Sequence, residues 1–221
     1  MRLPSPSAHY SQRVRVGRYV ARRLRQARKQ PLATSLESAT NALKLAGRAW
    51  EDSEDSIQDA LADRDGADDD LGKLAQTARA ALAGRSLDAT KTAPYIHIFP
   101  DGITYYTRAP SGQLGARYEE LLKRLTAHLP AKDPVLVQSQ KEIKVGLDAH
   151  AKAMSELTRL RTEQSLLSTK LAAETATWNQ AVEKIYGTLI AEVGKSSAEN
   201  FFPQIRVKAV TKPEELSKQP S

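Results

Sequence analysis

One pattern of apolar side chains continues through residues 134–194. A compact domain of 221 residues does not need so long an uninterrupted pattern. The pattern advances in steps of three and four that mostly alternate, with a shift after Leu157. Its positions are Ile143, Leu147, His150, Met154, Leu157, Leu160, Gln164, Leu167, Leu171, Thr175, Trp178, Val182, Ile185, Leu189 and Val193. Such a narrow seam is typical of a coiled coil. The sequence therefore predicts one helix over 134–196, about 90 Å long at 1.5 Å per residue.

A second long helix is predicted within residues 31–92. Thr34-Ser35-Leu36-Glu37 has the form of a capping box, with a hydroxyl three residues before a glutamate, and Gly84 follows the last apolar position. Its seam positions are Leu36, Ala39, Leu43, Ala46, Trp50, Ser53, Ile57, Ala60, Arg64, Ala67, Leu71, Ala75, Ala78 and Leu82. The frequent alanines would allow a partner helix to approach closely.

The two long helices are expected to pair as an antiparallel coiled-coil hairpin, because only a short insertion separates them. In the predicted register Ala83 is level with Leu136, and Leu36 lies near Val182. The acidic stretch at 51–70 would then face basic residues of the other helix, namely Lys152, Arg159, Arg161 and Lys170.

The insertion at 93–133 changes composition and predicts a small head. Phe99-Pro100-Asp101-Gly102 has the residues of a type I turn, and short β-forming segments flank it. We therefore expect a β-hairpin at 95–106 that packs on a helix over 113–128. Tyr95, Phe99, Tyr105 and Tyr106 would either form the core of this head or provide a contact surface for a partner.

The basic N-terminal segment, residues 1–30, contains nine Arg or Lys and no acid. A proline-containing arm is followed by a predicted amphipathic helix over 10–29, ended by Pro31 and able to dock against Trp178, Ile185 and Leu189. Its arginines are Arg13, Arg15, Arg18, Arg22, Arg23, Arg25 and Arg28. They would contact phosphates, anionic lipid or an acidic protein surface, or would simply be solvated.

Several classes of chemistry lack their sequence signals. The chain has no cysteine, and none of its four histidines has a neighbour at metal-ligand spacing. Asp63, Asp65 and Asp69 resemble part of a calcium loop, but Leu61 and Gly72 occupy its first and twelfth ligand positions. We expect no catalysis, no cofactor and no metal, and we interpret His150 as a packing or register residue.

The segments at either end bear on location. The N-terminal residues lack the apolar centre of a secretory signal, and no apolar run approaches the 18 residues of a membrane span. We therefore expect a protein that is cytoplasmic or lies within an assembled particle. Residues 197–221 are predicted to form an irregular tail with one strand at 205–210.

The leading functional hypothesis is a structural or assembly protein that forms homo-oligomers and docks to other subunits. Self-association would use seam residues that one helical hairpin leaves uncovered, namely Leu157, Leu167, Leu171 and Trp178. Two alternatives remain open. The arginine-rich helix could bind nucleic acid nonspecifically, or the predicted β-hairpin could insert into a membrane as a tongue.

Overall fold

The computed structural model describes residues 3–203, and every regular element in that range is helical. The elements are α1 (Tyr10–Gln26), α2 (Gln30–Ala83), α3 (Tyr95–Ile98), α4 (Thr104–Thr107), α5 (Ser111–His128), α6 (Pro134–Val193) and α7 (Lys195–Glu199), with one 3₁₀ turn at Ala89–Lys91. The predicted mainly-α class is confirmed. The strand predicted at 205–210 lies outside the described residues.

Helix α6 begins at Pro134 as the sequence predicts and ends at Val193, three residues before the predicted bound. Asp133 caps it, because its Oδ1 accepts the backbone N–H of Val135 at 2.9 Å, and Pro134 occupies the first helical position. Gly194 follows the last turn with a φ of 78°, a conformation that favours glycine. The 60 residues between them form one helix.

The boundary between α1 and α2 differs from its prediction. Helix α1 ends at Gln26, and Arg28 adopts a left-handed φ of 60°. Lys29 then donates its N–H to the Leu24 carbonyl at 2.9 Å, and Arg28 donates its N–H to the Arg25 carbonyl at 3.0 Å. These two bonds form a Schellman motif that reverses the chain within three residues.

Helix α2 consequently starts at Gln30, before the capping box predicted at Thr34 to Glu37. Pro31 lies in the first turn, where the absence of an N–H costs nothing, so it does not separate the helices as predicted. The end of α2 at Ala83 agrees with the sequence.

The described chain forms two compact units, and both long helices contribute to each. The first unit contains residues up to Ala49 together with those from Thr169, and the second contains Trp50–Ser168.

In the first unit α1 packs against α2 and α6, as its predicted docking requires. The core is formed by apolar side chains from all three helices, including Trp178 and Ile185. Trp178 is fully buried and donates its indole N–H to the Thr40 hydroxyl at 3.1 Å. Thr40 lies four residues after Leu36, and Trp178 lies four residues before Val182, so this bond has the predicted antiparallel register.

In the second unit α2 and α6 also run antiparallel. Asp68 of α2 and His150 of α6 are neighbours, with Oδ1 and Nε2 3.1 Å apart. A methyl group added at Gly146 of α6 would lie 2.7 Å from Cδ2 of Leu71. If Ala83 is level with Leu136, as predicted, the pairs Asp68–His150 and Leu71–Gly146 are each within two residues of the expected alignment.

The predicted β-hairpin is wrong, since no strand occurs in residues 3–203. The turn itself is present: Gly102 has a φ of 73° and donates its N–H to the Phe99 carbonyl at 3.1 Å. The flanking segments α3 and α4 are single helical turns that bury Ile98 and Tyr106. Packing against α5 therefore overrides β propensity, which measures fit to a sheet surface more than a backbone preference.

No helix within residues 3–203 combines the length and the apolar character that crossing a lipid bilayer requires.

Candidate docking face on the arginine-rich helix

Helix α1 is held on one side by its apolar residues. Val20, Ala21 and Leu24 are almost completely buried in the core of the first unit. Gly17 allows a close approach, because a methyl group at this position would lie 2.9 Å from Nε1 of Trp178 and would overlap the Thr40 hydroxyl. The opposite side of α1 is consequently fixed in orientation.

The outward side of α1 carries most of the predicted arginines. Those exposed to solvent are Arg15, Arg18, Arg22, Arg23, Arg25 and Arg28. Four of them, Arg15, Arg18, Arg22 and Arg25, follow one another at steps of three, four and three, which places them on one helical face. We call these four residues the basic face.

The basic face has few acidic partners. Arg25 forms an ion pair with Glu37 of α2 at 2.5 Å. Within residues 3–203, Arg15, Arg18, Arg22 and Arg28 contact no carboxylate. Helix α1 itself contains no acid, so its positive charge is not balanced locally.

Arg13 differs from the other predicted contact residues, because it is only 3% exposed. Its guanidinium donates to the backbone carbonyls of Ala8 at 2.5 Å, Ser5 at 2.9 Å and Pro6 at 3.3 Å. This side chain therefore holds the N-terminal arm against α1. The sequence does not separate Arg13 from its neighbours, since the acceptors are main-chain atoms that any residue provides.

A shallow groove of about 420 Å³ adjoins the basic face in the first unit. Its walls are Pro4, Gln12, Arg15, Val16, Tyr19 and Pro203. Tyr19 is 44% exposed and lies between arginines along α1. Tyr19 is not among the predicted contact residues, although it stands between arginines in the sequence.

The acidic stretch at 51–70 lies in the second unit, on the surface of α2. Asp52, Asp55, Asp59 and Asp63 are exposed and follow one another at steps of three, four and four. We call these four residues the acidic face, because the steps place them on one side of the helix.

The predicted neutralisation of this stretch by cations of α6 is not observed. Arg159 instead bonds to Glu156 at 2.7 Å and to Glu163 at 3.0 Å, both on its own helix. Within residues 3–203, no ion pair joins the aspartates at 52–70 to Lys152, Arg159, Arg161 or Lys170. The acidic face is therefore left to solvent.

The resemblance of this stretch to a calcium loop also has no structural counterpart. Residues 61–72 continue α2 without interruption, whereas a calcium loop of that type must leave the helix to direct its oxygens at the ion. Asp65 accepts from its neighbour Arg64 at 2.9 Å, and Asp63 and Asp69 are exposed.

The aromatic residues of the head mostly form its core. Tyr95, Phe99 and Tyr106 are at least nine-tenths buried. Tyr105 is half-buried and donates to Glu120 at 2.7 Å. The same bond raises the pKa of Tyr105 and lowers that of Glu120.

The predicted self-association seam is partly used inside the chain. Leu157 is buried against Ile57 and Ala60, and Trp178 is buried in the first unit. Leu167 and Leu171 remain partly exposed. Only these two of the four predicted seam residues are accessible to another chain.

One buried polar cluster was not predicted as a group. Asp68, Tyr118 and His150 come from α2, α5 and α6, and each has a buried polar atom without a hydrogen bond within residues 3–203. His150 Nε2 and Asp68 Oδ1 are 3.1 Å apart, but the two groups are not aligned for a hydrogen bond. Burial is the main cause that raises the pKa of Asp68 and of Tyr118.

Comparison with known protein families, with curated proteins and with solved structures gives no match to this chain.

Proposed function

We propose that this chain is a non-enzymatic assembly protein that forms homo-oligomers through its long helices and docks an anionic partner with the basic face. The observation that carries the proposal is the fixed outward orientation of Arg15, Arg18 and Arg22, which have no carboxylate partner within residues 3–203. Rows of arginine attract anions and form bidentate bonds with carboxylates and phosphates.

The long helices support the part of the proposal that concerns oligomers. Leu45 is 66% exposed, Val145 is 64% exposed and Leu166 is 69% exposed. Leu167 and Leu171 add partly exposed apolar surface on α6. Because helices gain most of their stability from packing, these residues would be covered in a coiled-coil bundle of several chains.

The experiment replaces Arg15, Arg18 and Arg22 together with glutamine and measures self-association and partner docking by sedimentation velocity. A matched control replaces Lys123, Lys141 and Lys144, three exposed cations of the second unit, and removes the same charge. We expect the arginine variant to lose the complexes and the lysine variant to keep them. Equal behaviour of the two variants would contradict the proposal.

A second candidate function is nonspecific nucleic-acid binding, favoured by the exposed Tyr19 among the arginines. Aromatic rings beside arginines provide stacking surfaces for bases of a single strand. Binding of a fluorescent single-stranded oligonucleotide should then fall steeply between low and physiological salt, and the change Tyr19→Ala should weaken it. Equal binding of wild type and this variant would remove the candidate.

The membrane-tongue hypothesis has lost its basis, because α3 and α4 are helical turns packed on α5.

A further inference from the structure

The chain presents two oppositely charged helical faces. Within residues 3–203, Arg15, Arg18 and Arg22 of the basic face and the four aspartates of the acidic face form no ion pair, whereas Arg25 pairs with Glu37. We infer that the basic face of α1 binds the acidic face of α2 in a second copy of the same chain. This inference rests on the proposed function, since it names the partner of the same basic face.

The two faces have matching spacing. Arg15, Arg18 and Arg22 are separated by steps of three and four, and the first three members of the acidic face have the same steps. Each series advances by seven residue steps from its first to its last member, which is about 10.5 Å along a helix. Three arginine–aspartate pairs can therefore form together when two such helices lie side by side in the same direction.

The charges on each face also favour association. Asp55 and Asp59 lie four residues apart, as do Asp59 and Asp63, and like charges at this spacing destabilise a helix. Arg18 and Arg22 have the same relationship on α1. A single exposed ion pair contributes little, but a row of arginine–carboxylate pairs relieves the repulsion on both faces at once.

The contacts of α1 with α2 inside the first unit involve residues outside the acidic stretch. Tyr10, at the start of α1, lies against Gly47 of α2, and Arg25, near its end, pairs with Glu37. Both contacts are with residues of α2 that precede Trp50, and the acidic stretch at 51–70 belongs to the second unit. A second copy can supply the carboxylates that these contacts do not provide.

The test uses the absence of cysteine from the chain. The variants Arg18→Cys and Asp55→Cys are prepared separately, mixed and oxidised, and disulfide-linked pairs containing one copy of each are identified by mass. The control mixes Lys141→Cys with Asp55→Cys, because Lys141 is an exposed cation outside both faces. We expect at least about tenfold more mixed pairs than in the control, since a disulfide needs Cα atoms within about 7 Å.

A charge exchange provides the second arm. One variant carries Arg15→Glu, Arg18→Glu and Arg22→Glu, and the other carries Asp52→Lys, Asp55→Lys and Asp59→Lys. Each alone should sediment as the smaller species, and an equimolar mixture should recover the assembly. Circular dichroism verifies that both variants remain helical.

The outcomes separate this inference from the proposed function. If assembly or docking depends on Arg15, Arg18 and Arg22 but the mixed disulfide does not exceed the control, the partner is another anion and the inference is wrong. If neither assembly nor docking depends on those arginines, the proposed function fails as well. Recovery in the mixture together with the mixed disulfide would support both.

Discussion

Trp178 and Thr40 are joined by a buried hydrogen bond of 3.1 Å between residues that are 138 positions apart in the chain. Both side chains are almost completely buried, and Gly17 of α1 lies against the same pair. This contact fixes α6 against α2 in the first unit and at the same time determines how closely α1 approaches. The orientation of the basic face therefore depends on three residues from three helices.

The change Gly17→Ala should destabilise the first unit by about 1–3 kcal/mol, because the added methyl group would overlap the Thr40 hydroxyl. Neither Thr40 nor Trp178 can move away without breaking their hydrogen bond. Gly187→Ala is the matched control, since nothing lies within 4 Å of a methyl group there. That change should stabilise the helix by about 0.5–1 kcal/mol. Urea unfolding of the two variants would reveal opposite shifts, and destabilisation of similar size in both would contradict the packing of α1.

Replacing either of two buried tyrosines in the head with phenylalanine should change the free energy of unfolding, but in opposite directions. Tyr106 donates to the carbonyl of Ile98 at 3.0 Å, so Tyr106→Phe leaves a buried acceptor unpaired and should cost about 1–2 kcal/mol. The hydroxyl of Tyr118 is buried without a hydrogen bond within residues 3–203, so Tyr118→Phe should stabilise by up to about 1 kcal/mol. Thermal unfolding of both variants would measure these changes in stability. A loss of stability in Tyr118→Phe comparable to that in Tyr106→Phe would show that this hydroxyl has a partner.

Asp133 should make the stability of the second unit depend on acid pH. Its bond to Arg85 at 2.6 Å, together with its cap on Val135, holds the pKa of this carboxyl below its usual value. A lowered pKa in the folded state means that the carboxyl stabilises the protein above the ordinary value of about 4. That contribution disappears as pH falls from there through the lowered pKa.

Asp133→Ala should therefore cost about 1–2 kcal/mol at neutral pH and progressively less in acid. Urea unfolding at a series of pH values would measure the difference from wild type. The exposed Asp88 is the control, because its side chain does not cap a helix. A difference for Asp133→Ala that stays constant down to strongly acid pH would contradict the assignment.

Arg28 occupies a backbone conformation that favours glycine, and the free-energy cost of holding an arginine there can be measured. Its φ of 60° places it in the left-handed region, which costs a residue with a Cβ about 1 kcal/mol relative to glycine. Arg28→Gly and Arg28→Ala remove the same charge, but only glycine relieves the backbone. The glycine variant should be the more stable by about 1 kcal/mol. Equal unfolding midpoints would show that this residue does not end α1 in a left-handed turn.

The long helices and their register could be predicted from sequence because one physical signal, the spacing of apolar residues, repeats over many turns. Leu43, Ile57 and Leu71 fall on the predicted seam and are buried. The pairing of Thr40 with Trp178 then follows from the register alone. The two ends of α6 depend on local chemistry, because Asp133 caps its start and Gly194 follows its last turn with a left-handed φ.

The head and the N-terminal arm could not be predicted in the same way, because tertiary contacts decide them. The segments beside Gly102 have only four residues each, and packing on α5 selects helical turns in spite of their β-forming composition. Arg13 resembles its neighbours in sequence, yet backbone carbonyls of the arm bind it inside the protein. The helix start at Gln30 similarly depends on the conformation of Arg28, which no sequence pattern indicates.

The central claim is that the chain assembles with itself, with the basic face of α1 contributing charge. Sedimentation equilibrium of the full chain at micromolar concentration, in low salt and in about 0.5 M salt, tests it most directly, because salt at that level screens exposed ion pairs. We expect a mass above that of one 24.3 kDa chain in low salt and a lower average mass in high salt. A mass of one chain under both conditions would contradict it.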